Sequence, residues 1–404
     1  MWTGDAVSQV GSQVGMLAVP LTAAVSLRAT AWQMALLTTA QSAAFLLIGL
    51  PAGVWCDRMR RRPLLIVGDL GRAALLGTIP LAWALGSLTM ALLFVVAALA
   101  GVLGVFFDVS YQSYLPALIG RERLVEGNAA LEANRTLAST VGPAVGGYLV
   151  QGVGGPVALL LDAVSFAWSG TWIGTIRARE SAPVRPAQRH LIREMREGMG
   201  FVFGHPVLRA IALYGSTCVF FGAAQRAVLL LFLLHSVRLS PGTIGVLFTC
   251  TGAASIGGAV GAAGLAHRFG PARAVVAATM LDCGSGLLIP LAARGAGLGF
   301  YVTGSAATAF AVSVFNIIQV SFRQTLCPDA LLGRMNATMR FVLWGSGPLG
   351  ALLGGALGTD FGLRPTMWIT AVGQVLPFTW IAISPLARGA DLSATGPATP
   401  APTP

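Results

Sequence analysis

A cluster of charged residues follows the second long apolar stretch of the chain, and its chemistry suits a reversible contact. The cluster comprises Gly53, Asp57, Arg58, Arg61 and Arg62. A carboxylate such as Asp57 can accept hydrogen bonds from the free N–H groups that begin a neighbouring helix, and it complements the helix dipole. The arginines have a candidate partner in Asp108. The cluster therefore predicts a conformational gate, with an arginine-rich loop that only anchors the chain as the simpler alternative.

Acidic residues within apolar stretches form a second set that could do chemistry. A buried carboxylate is easier to protonate, so it can bind and release a proton near neutral pH. The proton-coupling candidates are Asp5, Asp108 and Asp282. Asp69 and Arg72 are three residues apart and are predicted to pair on one helix face. Structural ion pairs remain an alternative for Asp69, Asp162 and Asp282.

The sequence holds no pattern typical of catalysis. Every basic residue other than histidine is arginine, whereas a phosphate-binding Walker loop requires lysine. The five cysteines are scattered singly, which supports neither a metal site nor a disulfide framework. We therefore expect no enzyme activity, no cofactor and no metal.

The composition indicates a membrane protein. Hydrophobic residues make up 55% of the chain and charged residues 10%, whereas soluble domains have about a quarter of their residues charged. The net charge of +11 would suggest nucleic acid in a soluble protein, but here it collects in loops between apolar stretches. The expected partners are membrane lipid, a small-molecule substrate and protons, with no nucleic acid and no obligatory protein partner.

Twelve apolar stretches are long enough to span a bilayer, at about 20 residues each. They run roughly over residues 3–24, 32–54, 64–84, 89–109, 130–151, 156–176, 207–235, 242–264, 274–292, 297–319, 337–357 and 365–385. All are predicted to be helices, because lipid leaves an open strand edge without hydrogen-bond partners. The predicted fold is an all-α integral membrane protein.

The second half of the chain repeats features of the first half. Arg135 is followed by Gly142-Pro143 and Gly146-Gly147, and Arg340 is followed at the same seven-residue interval by Gly347-Pro348. Proline removes a helix hydrogen bond, and glycine lets a neighbouring helix approach closely. We interpret these residues as gating elements of two six-helix halves that move about a central site, with static packing as the alternative.

The distribution of arginine predicts the topology and the domain boundaries. Loops after the even-numbered predicted segments, with the tail, hold most of the arginines, so both termini are expected in the cytoplasm of a bacterial inner membrane. The predicted halves are residues 1–176 and 207–388. Between them, 177–206 is a cytoplasmic linker with a basic amphipathic helix suited to anionic lipid, and 389–404 is a disordered tail.

The loop that contains Asp57 resembles the signature of the major facilitator superfamily, G-x-L-A-D-R-x-G-R-[KR]. Gly53, Asp57, Arg58, Arg61 and Arg62 match that pattern. The stretch from Gly142 to Gly147 resembles the fifth-helix motif of its antiporter branches. The region from Glu197 to Arg209 is similar to that of a bacterial subgroup with enterobactin-exporter-like and macrolide-efflux-like proteins. The fourth-helix arginine motif tied to proton transfer is absent.

The resemblance implies roles for residues that composition leaves open. It implies that Asp57 contacts the start of the eleventh helix, which we place near Met335-Asn336. It also implies that helices 1, 4, 7 and 10 line the substrate cavity. The substrate-binding candidates on them are Ser8, Gln9, Gln13, Gln225, Arg226, Asn316 and Gln319.

The function predicted is secondary-active transport by alternating access. The first choice is proton-coupled export of an amphipathic small molecule, such as a drug-like metabolite, an antibiotic or a siderophore. A facilitator or importer of a small polar nutrient is an alternative. A membrane scaffold or sensor that transports nothing is another.

Overall fold

The computed structural model describes residues 2–59, 61–119, 124–175 and 191–388. Within these ranges every long element is a helix and no strand occurs. In the first part of the chain the helices are α1 (Trp2–Leu21), α2 (Ala31–Arg58), α3 (Arg61–Ala84), α4 (Met90–Ile119), α5 (Leu124–Val153) and α6 (Gly155–Thr175).

The second part begins with α7 (Leu191–Gly204), which precedes the next group of long helices. These are α8 (Pro206–Leu231), α9 (Pro241–Phe269), α10 (Pro271–Ser285), α11 (Leu298–Leu326), α12 (Asp329–Asp360), α13 (Leu363–Gly373) and α14 (Pro377–Ala382). Short 3₁₀ turns cover Gly286–Leu291, Gly295–Gly297 and Pro385–Arg388.

Among the described residues, nine helices are long and apolar enough to cross a membrane. The three remaining predicted segments correspond to α1, to α5 and to the pair α13 and α14. Polar residues lower the hydropathy of α1, and a turn after Gly373 interrupts the last segment. The predicted all-α membrane fold is confirmed, and each of the twelve predicted segments coincides with a helix or a helix pair.

The internal repeat is visible in the backbone. A π-helical turn, Thr22–Ser26, ends the first span, and a second one, Phe232–Ser236, ends the span formed by α8. Each turn is followed by an arginine with positive φ, Arg28 at 50° and Arg238 at 60°. Left-handed backbone is uncommon outside glycine, so the same turn at positions 210 residues apart supports a duplicated unit.

Two predicted helix ends are wrong, because hydropathy marks the lipid-facing length of a helix and misses its polar extension. The fourth segment was placed at 89–109, but α4 continues to Ile119, so Asp108 lies three turns inside the helix instead of near its end. The eleventh-segment start was placed near Met335-Asn336, but α12 begins at Asp329. The free N–H groups of α12 are therefore those of its first turn after Asp329.

By its internal contacts the chain forms two compact units. The first unit comprises Met1–Gln188, Ala223–Gly252 and Gly347–Met367, and the second comprises Arg189–Gly222, Ala253–Ser346 and Trp368–Pro404. Each unit thus contains segments from both sequence halves. The domain boundaries drawn at 176 and 207 stay a prediction.

The amphipathic helix predicted from Gln188 to Phe203 is present as α7, and it packs on protein within the second unit. A Cβ added to Gly198 would lie 2.8 Å from the backbone oxygen of Arg334 on α12. The Arg334 guanidinium pairs with Glu197, and Val202 is fully buried in the core of this unit. Because glycine allows the backbones to touch, α7 is attached to α12. The contact of its apolar face with lipid stays a prediction.

Candidate functional site

A cavity of about 240 Å³ lies among α1, α3, α4 and α6, inside the first unit. It combines hydroxyl, amide, charged and aromatic side chains, which is typical of a ligand site. The residues that line it are Ser8, Gln9, Ser12, Arg72, Phe107, Asp108, Tyr111, Phe166, Ser169, Trp172 and Ile173. We refer to this cavity as the α1–α6 pocket.

Arg72 is held in a fixed position at the wall of the α1–α6 pocket. Its Nη2 donates to Asp69 Oδ1 at 2.6 Å, and its Nε donates to the Gly68 carbonyl at 3.2 Å. The rings of Phe107 and Phe166 lie 4.4 and 4.2 Å from the guanidinium carbon. The predicted pairing of Asp69 with Arg72 is confirmed. Two aromatic contacts and a buried carboxylate stabilise the cation and restrict its orientation.

The contact between α1 and α6 depends on two glycines. Gly11 and Gly15, one turn apart on α1, leave space that the side chains of Ser165 and Asp162 on α6 fill, and a Cβ at either glycine would collide with them. Asp162 is 3% exposed, and its Oδ1 lies 3.5 Å from the Ser165 hydroxyl. Small residues spaced four apart on one helix let polar side chains of a neighbouring helix approach its backbone inside a membrane bundle. Asp162 is therefore enclosed between α1 and α6, and it is not among the residues that line the α1–α6 pocket.

The second unit holds a different polar cluster, centred on Asp282. Asp282 is 4% exposed and accepts a hydrogen bond of 2.7 Å from the Tyr214 hydroxyl. The thiol of Cys218 lies 3.8 Å from the same oxygen, and the Tyr214 ring packs on Phe315 with centroids 4.6 Å apart. The alternative of a structural ion pair is wrong for Asp282, because its partner within the described residues is a phenol.

The two clusters occupy related positions of the internal repeat. Asp282 lies 210 residues after Arg72, and Cys218 lies 210 residues after Ser8. In the first cluster Arg72 contacts Phe107. In the second cluster Asp282 accepts a hydrogen bond from Tyr214, whose ring packs on Phe315. The same helices of the repeat therefore carry a cation beside a pocket in one unit and a hydrogen-bonded acid in the other.

A seam of backbone contacts joins α5 to α9 within the first unit. A Cβ added to Gly147 would lie 2.5 Å from the Pro241 carbonyl oxygen, and one added to Gly245 would collide with the Pro143 carbonyl. The side chain of Gln151 accepts from the Gly242 N–H at 3.0 Å. Two helix backbones can come this close only at glycine residues, because any other residue would place a side chain between them.

A matching seam joins α12 to α8 and α2, also within the first unit. A Cβ at Gly354 would collide with the Ala224 backbone, and one at Gly355 would collide with the Ala35 side chain. The Thr39 hydroxyl donates to the Pro348 carbonyl at 3.4 Å. The repeated Gly-Pro motifs thus lie in the same helices as the two seams.

The pocket brings together only part of the predicted substrate set. Ser8 and Gln9 line it, as does the gating candidate Asp108. Gln13 lies instead against Gly142 of α5. The remaining predicted residues lie elsewhere: Gln225 and Gln319 are buried, and Arg226 and Asn316 are exposed.

The predicted gating residues fall into three groups. Gly146 packs against Val14 of α1, and Arg135 and Arg340 are exposed. The Arg62 guanidinium donates to the carbonyls of Ile173 and Gly174, which end α6, and so it satisfies acceptors that a helix end leaves open. The side chains of Asp5, Gly53, Asp57, Arg58 and Arg61 lie outside the described part of the structure.

Sequence reasoning missed the aromatic wall of the pocket. Phe166, Ser169 and Ile173 follow Asp162 at helical spacing on one face of α6, and the same face carries Trp172 nearby. That periodicity was available in the sequence. The search for substrate residues covered only helices 1, 4, 7 and 10, so α6 was not considered. Within the described residues no three histidine, cysteine or acidic side chains lie close enough to hold a metal.

Comparison with known proteins identifies the family. Residues 1–237 match the Major Facilitator Superfamily. The multidrug efflux pump Tap of Mycolicibacterium fortuitum is 27% identical over 359 residues, which cover 85% of this chain and 84% of the pump. Tap of Mycobacterium tuberculosis strain H37Rv is 28% identical, covering 90% and 88%. The enterobactin exporter EntS of Escherichia coli O127:H6 is 27% identical, covering 85% and 80%.

Solved structures agree on the fold. A bacterial homologue of the iron transporter ferroportin, in the inward-facing state, superposes with a TM-score of 0.73 at 16% identity and covers 94% of this chain and 96% of its own. The nucleoside transporter NupG gives a TM-score of 0.70 at 12% identity, with coverage of 94% and 96%. The family match spans more than half of the sequence and the helical fold agrees with it, so the chain belongs to the major facilitator superfamily of multi-pass membrane transporters.

Proposed function

We propose that this protein exports an amphipathic small molecule across a bacterial inner membrane, in exchange for protons. The observation that carries the proposal is the pair of glycine seams, α5 on α9 and α12 on α8 and α2. Backbone-to-backbone contacts are held by few hydrogen bonds, so they can separate and re-form without repacking large side chains. Such a device suits alternating access, in which one end of the transporter closes while the other opens.

The direction of transport follows from the relatives. Two kinds of relative that match most of the chain are an efflux pump and an exporter by name. The pocket supports an amphipathic substrate, because it offers aromatic faces beside hydroxyl and amide groups. In this scheme both termini are cytoplasmic, as the arginine distribution predicts.

One substitution tests whether the seam is a moving contact. A Cβ at Gly147 would lie 2.5 Å from the Pro241 oxygen, whereas one at Gly152, further along α5, would meet open space. Overpacking of this kind costs about 1–3 kcal/mol, which shifts a two-state equilibrium roughly five- to 150-fold. We expect Gly147→Ala to reduce several-fold the proton-driven uptake of dye into inverted membrane vesicles, which is the direction that corresponds to export from the cell.

Gly152→Ala is the matched control, because it adds the same methyl group to the same helix. It should export dye at the wild-type rate. Equal export by the two variants would show that the α5–α9 seam does not open during transport. Wild-type vesicles that export no compound from a panel of cationic, neutral and anionic dyes, with or without a protonophore, would contradict the exporter function itself.

A further inference from the structure

Arg226 is a charged residue inside an apolar, membrane-spanning segment. It lies in α8, within the span Pro206–Ser236. An ionised side chain in such a segment is costly in lipid, so it normally faces either a partner of opposite charge or a cavity that water can enter. The surroundings of Arg226 decide between these two possibilities.

The first possibility, a partner of opposite charge, is not met in the described part of the structure. Arg226 makes no hydrogen bond, ion pair or ring contact with any described residue. In the first unit, α8 packs on α2 and α12 through Ala224 and Val228. The described side chains of α2 include no acid, and the acid that α12 contributes to this unit, Asp360, is exposed at the end of that helix. The charge of Arg226 is therefore not neutralised by these neighbours.

Arg226 is exposed although the helix around it is not. From residue 210 to residue 234 every other residue is buried or half-buried. Ala223 and Leu230 share the face of Arg226, because they lie three positions before it and four positions after it. They are only 4% and 6% exposed. The accessible surface at this position therefore belongs to one long side chain and is not part of an open helix face.

Surfaces that face lipid have a different pattern in this protein. On α6 the large apolar side chains Leu160, Val164 and Trp168 form a stripe at helical spacing, and they are 46%, 56% and 49% exposed. Among the described side chains of α8, no large apolar one is exposed. Arg226 thus does not belong to a lipid-facing stripe. Its exposed surface lies in a hollow beside α8 that water can enter, which is the second possibility.

An unpaired guanidinium in such a hollow suits an anionic ligand. Arginine presents five N–H donors in a planar fork that matches a carboxylate, sulfonate or phosphate group with paired hydrogen bonds. The attraction is stronger where protein replaces much of the surrounding water. Leu229, which is half-buried and three positions further along the helix, offers an apolar contact beside the charge. Arg226 is not among the residues that line the α1–α6 pocket, so this site is additional.

From these observations we infer that Arg226 binds the acidic group of an amphipathic organic anion. This inference names the charge class of a substrate of the exporter proposed above, and it rests on that function. Ala224 and Val228, on either side of Arg226 in the sequence, contact Gly354 and Gly358 of the α12 seam. A bound anion therefore neutralises a charge on the helix that forms one side of that seam.

The test measures the binding of naphthalene-2-sulfonate, an aromatic anion whose charge does not change with pH. Equilibrium dialysis uses the purified full-length protein in micelles of an uncharged detergent, with empty micelles as the blank. We expect saturable binding of the sulfonate, at least tenfold tighter than that of the neutral 2-naphthol, and no competition from a naphthyltrimethylammonium cation. Absence of saturable sulfonate binding, or tighter binding of the cation, would overturn the inference.

Three variants locate the charge that the anion contacts. Arg226→Met removes the charge at similar length and should weaken sulfonate binding at least tenfold, while the affinity for 2-naphthol stays at the wild-type level and shows that the hollow persists. Arg226→Lys keeps the charge without the fork and should weaken binding only several-fold. Arg209→Met is the matched control, because it removes an exposed arginine from the start of the same helix, and it should retain the wild-type affinity.

Equal losses in Arg226→Met and Arg209→Met would mean that the sulfonate responds only to the overall positive charge of the protein, and the inference would be wrong. The binding measurements need no membrane gradient, so their outcome is separate from that of the transport assay. If inverted vesicles take up no compound, the exporter function is refuted whether or not the sulfonate binds. If the vesicles take up other dyes and the wild type does not bind the sulfonate, the inference alone fails.

Discussion

The Arg72 cluster of the first unit and the Asp282 cluster of the second stand at related positions of a duplicated fold, yet they differ in what surrounds them. In the first, Arg72 lies at the wall of a cavity between Phe107 and Phe166. In the second, the Tyr214 phenol lies against Phe315 and binds Asp282 directly. The residue 210 positions before Tyr214 is Gly4, so the first half lacks this phenol. Duplication preserved the helices, but the side chains at equivalent positions differ: Arg72 corresponds to Asp282, Ser8 to Cys218 and Gly4 to Tyr214.

The difference suggests a division of labour between the clusters. A carboxyl group that receives a short hydrogen bond from a buried phenol is already satisfied and resists change. Asp162, by contrast, has a hydroxyl at 3.5 Å. The second unit therefore holds a fixed hydrogen-bonded core, whereas the first places an arginine and its carboxylate partner beside a cavity.

The largest effect is expected when the buried ion pair of the first unit is broken. Asp69 has a fully buried side chain, and that of Arg72 is 13% exposed. Asp69→Asn leaves the Arg72 charge without its nearest carboxylate, which typically costs about 3–5 kcal/mol of unfolding free energy. Denaturant titration in micelles measures that loss.

The double variant Asp69→Leu/Arg72→Met serves as the control for that experiment. It removes both charges at once and should recover most of the stability, because well-packed apolar residues often replace a buried pair at no net cost. If the single variant is as stable as the wild type, the pair is not buried from water and the comparison between the clusters fails.

A smaller effect is expected from the hydrogen bond of the second unit. Tyr214→Phe removes the donor to a buried carboxyl oxygen, and the loss of such a partner costs about 1–3 kcal/mol. Tyr301→Phe makes the same change at another buried tyrosine of the unit, one with no charged partner among the described residues. That control should change the unfolding free energy little. Equal losses in the two variants would show that the Tyr214–Asp282 hydrogen bond contributes no stability of its own, and the comparison between the clusters would fail.

The helices could be predicted from sequence patterns, whereas the pocket could not. Twelve apolar stretches and a duplicated Gly-Pro motif predict the fold, because lipid imposes helix length and composition directly. The polar extension of α4 beyond Asp108 and the early start of α12 at Asp329 were missed, since residues outside the lipid carry no hydropathy signal.

The site was harder to predict because its residues are brought together by helix packing. Ser8 and Gln9 were identified as polar residues in an apolar helix, but nothing local in the sequence shows that Arg72 points between Phe107 and Phe166. That arrangement follows from Gly11 and Gly15, which let α6 approach α1. A Gly-x-x-x-Gly pattern opposite an intramembrane aspartate is the signal that could have found it.

The smallest effect is expected at the Glu197–Arg334 ion pair, which contrasts directly with the Asp69–Arg72 pair. The Glu197 and Arg334 side chains are 36% and 37% exposed, so solvent screens them, and such pairs contribute about 0–1 kcal/mol. Glu197→Gln should therefore lower the unfolding free energy by less than about 1 kcal/mol, and the difference should vanish near 1 M salt, where the Debye length falls to about 3 Å. The deficit of Asp69→Asn should persist at the same salt concentration, because the Asp69 side chain is fully buried and most of Arg72 is too. A large, salt-resistant loss in Glu197→Gln would mean that α7 is attached to α12 by a shielded charge contact, and that the second unit, like the first, depends on a buried pair.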